Sequence, residues 1–305
     1  MVYAAAMEID QLPELDRPNV IAAFQGWNDA GQGATTALRY LIESWKAERF
    51  AHVDPEEYFS FTDTRPHVKI LEGTQRELVW PSNEFFFYKG GDRIQPAVLM
   101  IGTEPNLRWR GFCGEVVRLA RSLGAQRLVT MGSLVTEAVH TRPVPLTGFA
   151  TDDAVQVKLA SRGISRSSYE GPTGIVGALH DACRRAELPT ASLWAASPFY
   201  LGSTPNPKTA LGLLDALDEV LELRLDLADL RVVAEEFASQ VTMAVQDNPE
   251  MQERIHTLEE QYDAQGGASE PGPPADFGST GAIIADLESF LRKQRASGSE
   301  DEPEA

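Results

Sequence analysis

The chain is short of positive charge. Its 305 residues hold 27 Lys and Arg against 45 Asp and Glu, a formal charge of −18. No stretch gathers basic residues, so nothing in it would track a phosphate backbone, and nucleic-acid binding is excluded as a main role. Binding to an anionic membrane is excluded on the same ground. Cysteine is scarce as well. Cys113 and Cys183 each fall within an expected helix and neither belongs to a CxxC pair. They read as reduced, packed thiols. No apolar run reaches the length of a membrane span. The opening Met1-Val-Tyr-Ala-Ala-Ala-Met-Glu8 lacks the basic and apolar regions of a signal peptide, so a cytoplasmic location is expected.

The motifs of common chemistries are also missing. Five histidines are present, but His52, His67 and His256 have no partners at ligand spacing, and there is no HExxH, so no metal is expected. His180 lies inside a helix. His140 sits in a polar loop with Glu137 and Arg142. Without a GxSxG elbow, Ser133 and Ser197 have no nucleophile context. Without GxGxxG after a strand there is no dinucleotide site, and no cofactor is expected.

What is present is a body with a different tail. Hydrophobic residues make up 43 %, enough for a sizeable core. Residues 227–305 carry 17 acidic and 5 basic residues, so the C-terminal quarter holds most of the negative charge. From 19 to 223 apolar strand-like runs alternate with amphipathic segments. Val20–Gln25, Ala97–Ile101, Arg127–Met131, Leu146–Ala150 and Ala191–Ala196 read as strands. Helices are expected over about 34–45, 114–122, 153–161, 171–187 and 207–223. Between them, Glu57–Phe61, Val68–Leu71, Leu78–Trp80 and Glu84–Tyr88 read as short strands in hairpins. The pattern is an α/β domain over 1–225, with a mostly parallel central sheet flanked by helices.

A helical C-terminal extension follows over 226–264. Leu230, Val233, Phe237, Val241 and Ala244 share one stripe, and a second helix restarts at Asn248-Pro-Glu250. These helices pack on the domain or on each other, or else form a hairpin that binds another protein. Residues 265–281 read as a flexible linker, 282–296 as an amphipathic helix, and 297–305 as an acidic tail.

The stretch with most chemical interest is Gly26-Trp-Asn-Asp-Ala-Gly31, at a strand-to-helix turn. Its GxxxxG spacing suits a phosphate loop, but Gln32 and Gly33 stand where Lys and Ser or Thr would be needed, so an NTPase is excluded. Either the loop is a structural turn, or Asn28 and Asp29 line a pocket. In a doubly wound sheet ligands bind beyond the C-terminal strand ends. There Gly26–Gly31, Glu104, Ser133, the Gly171-Pro-Thr-Gly174 turn and Tyr200 would converge. Glu104 is a capping carboxylate or a pocket acid. Close to Asp29 it would make a carboxylate pair able to bind a metal or share a proton.

Taken together, Gly26-Trp-Asn-Asp-Ala-Gly31, Thr103-Glu-Pro105, Gly132, Gly171-Pro-Thr-Gly-Ile-Val-Gly177, Ser197-Pro-Phe-Tyr200 and Pro205-Asn-Pro207 resemble the proteasome assembly chaperone 2 family, especially its actinobacterial members. The resemblance covers roughly 18–225. It implies a fold of the purine nucleoside phosphorylase type, self-association, and assembly work in place of catalysis. The resulting expectation is a non-catalytic, assembly-chaperone-like protein that binds itself, as a trimer by analogy, and possibly another protein through its acidic C-terminal helices. The alternative is a protein that binds a nucleoside, nucleotide or other anionic compound in a cleft at the strand ends, with Gly26, Asn28, Asp29, Gly31, Glu104, Ser133, Gly171, Gly174 and Tyr200 as its lining.

Overall fold

The computed structural model describes residues 7–71, 75–91, 94–202, 204–246 and 248–264. The expected linker over 265–281, the helix over 282–296 and the acidic tail lie outside the described residues.

The centre of the molecule is built from four parallel strands, β2 (Asn19–Gln25), β7 (Ala97–Thr103), β8 (Arg127–Thr136) and β10 (Thr190–Pro198). Their order is β7-β2-β8-β10. β2 lies in the middle and is buried almost throughout, as its unbroken apolar run requires of a strand covered on both faces. Antiparallel strands extend the sheet on both sides. β9 (Leu146–Ala150) closes one edge against β10. Beyond β7 come β6 (Asn83–Tyr88), β3 (Glu48–Val53) and β1 (Met7–Ile9). The eight-stranded sheet is therefore mixed, with its parallel strands confined to the middle.

Helices cover both faces. Alternate residues of β2 divide the core: Ile21 and Ala23 face α1 (Gly33–Ser44), α4 (Asp153–Ser161) and α6 (Pro207–Leu221). Val20, Ala22 and Phe24 face α3 (Trp109–Ser122) and α5 (Ile175–Arg185). Burial of these apolar side chains stabilises the three layers at about 25 cal/mol per Å² removed from water.

Two further helices, α7 (Ala228–Gln246) and α8 (Pro249–Ala264), form a third cluster. Phe237, Val241, Val245, Met251, Ile255 and Leu258 pack with Val139, Phe199, Tyr200 and Leu201, beside the exits of β8 and β10. The helices thus pack on the domain and on each other.

Some local expectations change. Glu57–Phe61, expected as a strand, is not one: Pro55–Tyr58 form the short helix α2, because Asp54 accepts the amide of Glu56 at 3.0 Å and Pro55 starts the turn. Strand β8 runs on to Thr136, so Ser133 is a strand residue and not a loop residue. Helix α3 begins at Trp109, whose indole N–H donates to the Pro105 carbonyl. Of the expected hairpin region, β3 and β6 join the main sheet. Only β4 (His67–Ile70) and β5 (Arg76–Val79) form a separate two-stranded unit.

Candidate functional site

The loop after β2 is the hub at the C-terminal ends of the parallel strands. Gly26 holds φ at +125°, a backbone conformation open to glycine, and lets the chain leave the strand against Glu104. Asn28 and Asp29 follow, and both are buried.

Asp29 turns inward to the start of α1. Its Oδ1 accepts the amides of Ala34 at 2.9 Å and Thr35 at 3.1 Å, and its Oδ2 accepts the Thr35 hydroxyl. The first amides of a helix have no partner within the helix and carry partial positive charge, which makes them a natural anion site. Here the anion is the chain's own carboxylate. Burial pushes the Asp29 carboxyl above the usual carboxylate range, and the donors from Thr35 and Ala34 pull the other way. All three partners donate, so the arrangement suits the ionised form.

Glu104 does the same for α5. Following β7, its Oε1 accepts the amide of Ile175 at 2.7 Å and the Asn28 side-chain amide at 2.9 Å. Gly174 precedes that helix. A Cβ there would lie 2.6 Å from both Asn28 Oδ1 and Glu104 Oε1, so only glycine admits this approach. Gly26, Asn28, Glu104 and Gly174 are therefore one constellation. Asn28 Oδ1 is buried and has no hydrogen-bond partner among the described residues.

Ser133 ties the hub to the sheet. Its amide donates to the Asn28 carbonyl and its hydroxyl to the Ala30 carbonyl, each at 2.8 Å. Gly31 lies against Ser197 and Asn206, and its carbonyl accepts the Asn206 amide at 2.7 Å. Two expected residues stand elsewhere. Gly171 is exposed beside Tyr169. Tyr200 is fully buried, and its hydroxyl accepts the His140 amide at 2.8 Å. The two carboxylates, Asp29 and Glu104, serve different helices. Among the described residues no three His, Cys, Asp or Glu side chains gather as a metal site, and no helix is long and apolar enough to cross a membrane.

A second buried polar group joins the body to α7. His140 Nδ1 lies 2.8 Å from the Tyr200 hydroxyl and Nε2 3.0 Å from Thr242 Oγ1, which donates to Ala238 O. The chain of donors is satisfied when Nε2 carries the proton and the ring is neutral. Burial, reinforced by the neighbouring Lys208, pulls the His140 pKa down to about 4. Lys208 itself donates to the His140 carbonyl. The cavity lined by His140, Asn206, Lys208, Thr209 and Phe237 amounts to about 10 Å³, the space of one water molecule.

His180 is likewise packed, bonded to Thr130 Oγ1 at 2.9 Å, and burial pulls its pKa down to about 4. Thr35 and Lys208 escaped sequence reasoning because neither belongs to a motif. Asn206 was open to it: Asn-Pro at a helix start is an N-cap signature, and Asn206 Oδ1 accepts the amides of Lys208 and Thr209.

Comparison with known proteins adds relatives to this geometry. The family model described as PAC2 family matches residues 23–245. A PAC2 family protein of Streptomyces avermitilis is 38% identical, with a TM-score of 0.69, over 78% of this chain and 99% of its own. A Mycobacterium tuberculosis proteasome-assembly chaperone homologue is 37% identical, with the same TM-score and the same coverage. A Pyrococcus furiosus archaeal proteasome activator, 21% identical with a TM-score of 0.61 over 78% of this chain and 97% of its own, shares the fold. No curated protein matches.

Proposed function

The chain belongs to the PAC2 family, and from that premise we propose that it is a self-associating, assembly-chaperone-like protein that carries out no chemistry of its own. One observation carries the reading. At the strand ends, where an α/β sheet would hold its ligand, the groups able to do chemistry are spent on holding the chain together. Asp29 caps α1, Glu104 caps α5, and Ser133 bonds the Ala30 carbonyl. The starts of α1 and α5, which could attract a phosphate, are filled by carboxylates. The fold type that the family resemblance implies, that of purine nucleoside phosphorylases, brings no phosphorylase chemistry with it.

The M. tuberculosis relative supports proteasome subunits as the client class. A trimer is the arrangement this reading adopts. The test is to incubate the full chain with unassembled proteasome subunits and follow ring formation by size-exclusion chromatography. Faster assembly, or a complex of chain and subunits, supports the proposal. Unchanged assembly with no complex overturns it.

A second reading has one observation in its favour. Asn28 Oδ1, buried beside Glu104 without a partner, suits a ligand that donates a hydrogen bond. A nucleoside amine would meet that need.

A further inference from the structure

We propose that the β4–β5 arm docks on the outer face of α7 in a second copy of this chain. The inference rests on the self-association proposed above and assigns it a surface. Every residue of β4 and β5 is exposed. A two-stranded unit of this size does not hold itself together in water without a surface to pack on. Its base is pinned: Trp80 stacks edge-on against Phe61 at 4.8 Å, and Asn106 Oδ1 accepts the Ser60 amide and the Thr64 hydroxyl, each at 3.0 Å. Among the described residues, the two strands beyond that base are exposed throughout.

The register divides the arm into two faces. Lys69 pairs with Glu77 on one face, so that face is balanced in charge. Val68 pairs with Leu78 and Ile70 with Arg76 on the other. Val68, Ile70 and Leu78 are 57%, 67% and 55% exposed. Within the two strands this face is apolar with a single cation, Arg76, and no acid. Its complement is an apolar surface bearing acids.

Helix α7 presents that complement. Its buried stripe of Leu230, Ala234, Phe237 and Val241 faces the body. On the opposite side, Asp229, Val232, Glu236, Ser239 and Met243 follow helical spacing along one exposed stripe. Val232 and Met243 are 55% and 50% exposed, and no basic residue interrupts the stripe. A copy of this chain is thus an anionic partner with apolar anchors. Because arm and helix are different surfaces, the contact is head-to-tail, and it closes into a ring when the rotation allows.

The experiment uses the full chain in sedimentation velocity. Ile70→Lys with Leu78→Lys alters the arm, and Val232→Lys with Met243→Lys alters the helix. All four positions are half-exposed or more, and circular dichroism checks the fold. The wild type is expected to associate, and each variant alone to associate roughly thirtyfold more weakly or worse. Mixed together, the two variants are expected to give a one-to-one pair, since the arm of one and the helix of the other remain intact. Variants that keep the wild-type mass overturn the docking surface and leave self-association standing. A weakened arm variant beside a helix variant that keeps the wild-type mass overturns the head-to-tail assignment in favour of an arm-to-arm contact, and two weakened variants without rescue on mixing overturn the pairing of these two surfaces. A monomeric wild type that binds a different acidic protein through the arm overturns the second copy as occupant. A monomeric wild type without any partner overturns both this proposal and the self-association beneath it.

Discussion

At Asp29 one carboxylate takes three donors, two amides and a hydroxyl, at the start of a helix in the core. Removing it in Asp29→Ala leaves those donors buried without a partner, at a cost of roughly 2–3 kcal/mol in urea unfolding. Asp29→Asn keeps one oxygen for the amides and lets its own amide donate to Thr35, so about 1 kcal/mol or less is expected. A carboxylate held for catalysis would behave differently, because its removal tends to leave stability unchanged or improved. Glu104→Ala belongs to the same test. It strips Ile175 and Asn28 of their acceptor, and a loss of about 1–2 kcal/mol is expected, with Glu104→Gln milder. The sequence marked both residues through the strand-end rule, yet their partners Thr35 and Ile175 lie on different helices. Spacing along the chain does not reveal which helix start a carboxylate will face.

Helices α7 and α8 are held by two kinds of contact of unequal weight. Arg142 forms a two-point pair with Asp263, and Arg254 pairs with Glu137, but these groups are solvent-exposed and screened. Met251, Ile255 and Leu258 are buried against the body cluster. Leu258→Ala is therefore expected to cost about 2–5 kcal/mol, while Arg142→Ala leaves the unfolding midpoint nearly unchanged.

The His140 bridge adds a pH dependence with a definite sign. Its folded pKa, about 4, lies below its ordinary value of 6.5. The unfolded chain therefore takes up a proton that the folded chain refuses, and stability falls as pH drops from about 6.5 toward 4. His180 acts in the same direction over the same range. Asp29, with its pKa raised, acts oppositely, because its penalty is relieved as it protonates. Hydrogen exchange in α7, corrected for intrinsic rate, is expected to quicken between pH 7 and pH 5, and less so in His140→Gln. Equal quickening in both would contradict the role assigned to His140.

Strand and helix positions were largely legible because apolar period and caps determine them locally. Asn206, Asp152 and Asn248 each cap the helix that follows. Antiparallel β3 and the exposure of β4 and β5 were not legible. A short strand such as Val68–Ile70 shows the same alternation whether its apolar side faces a core or water.

Across the whole molecule, the PAC2 sheet brings four strand ends to one loop and fills that place with its own side chains. On a chain of formal charge −18, one face of the exposed β4–β5 arm is apolar and carries a cation, Arg76. The proposed function lies on surfaces, and the strand-end side chains serve stability. The most direct test of that claim is a thermal-shift titration of the full chain with nucleosides, nucleotides and inorganic phosphate, repeated on Asn28→Ala and Glu104→Gln. No saturable rise in Tm is expected with any of these compounds in any of the three proteins. A saturable rise in the wild type that disappears in both variants would contradict it and place a ligand site at the loop between Gly26 and Gly33.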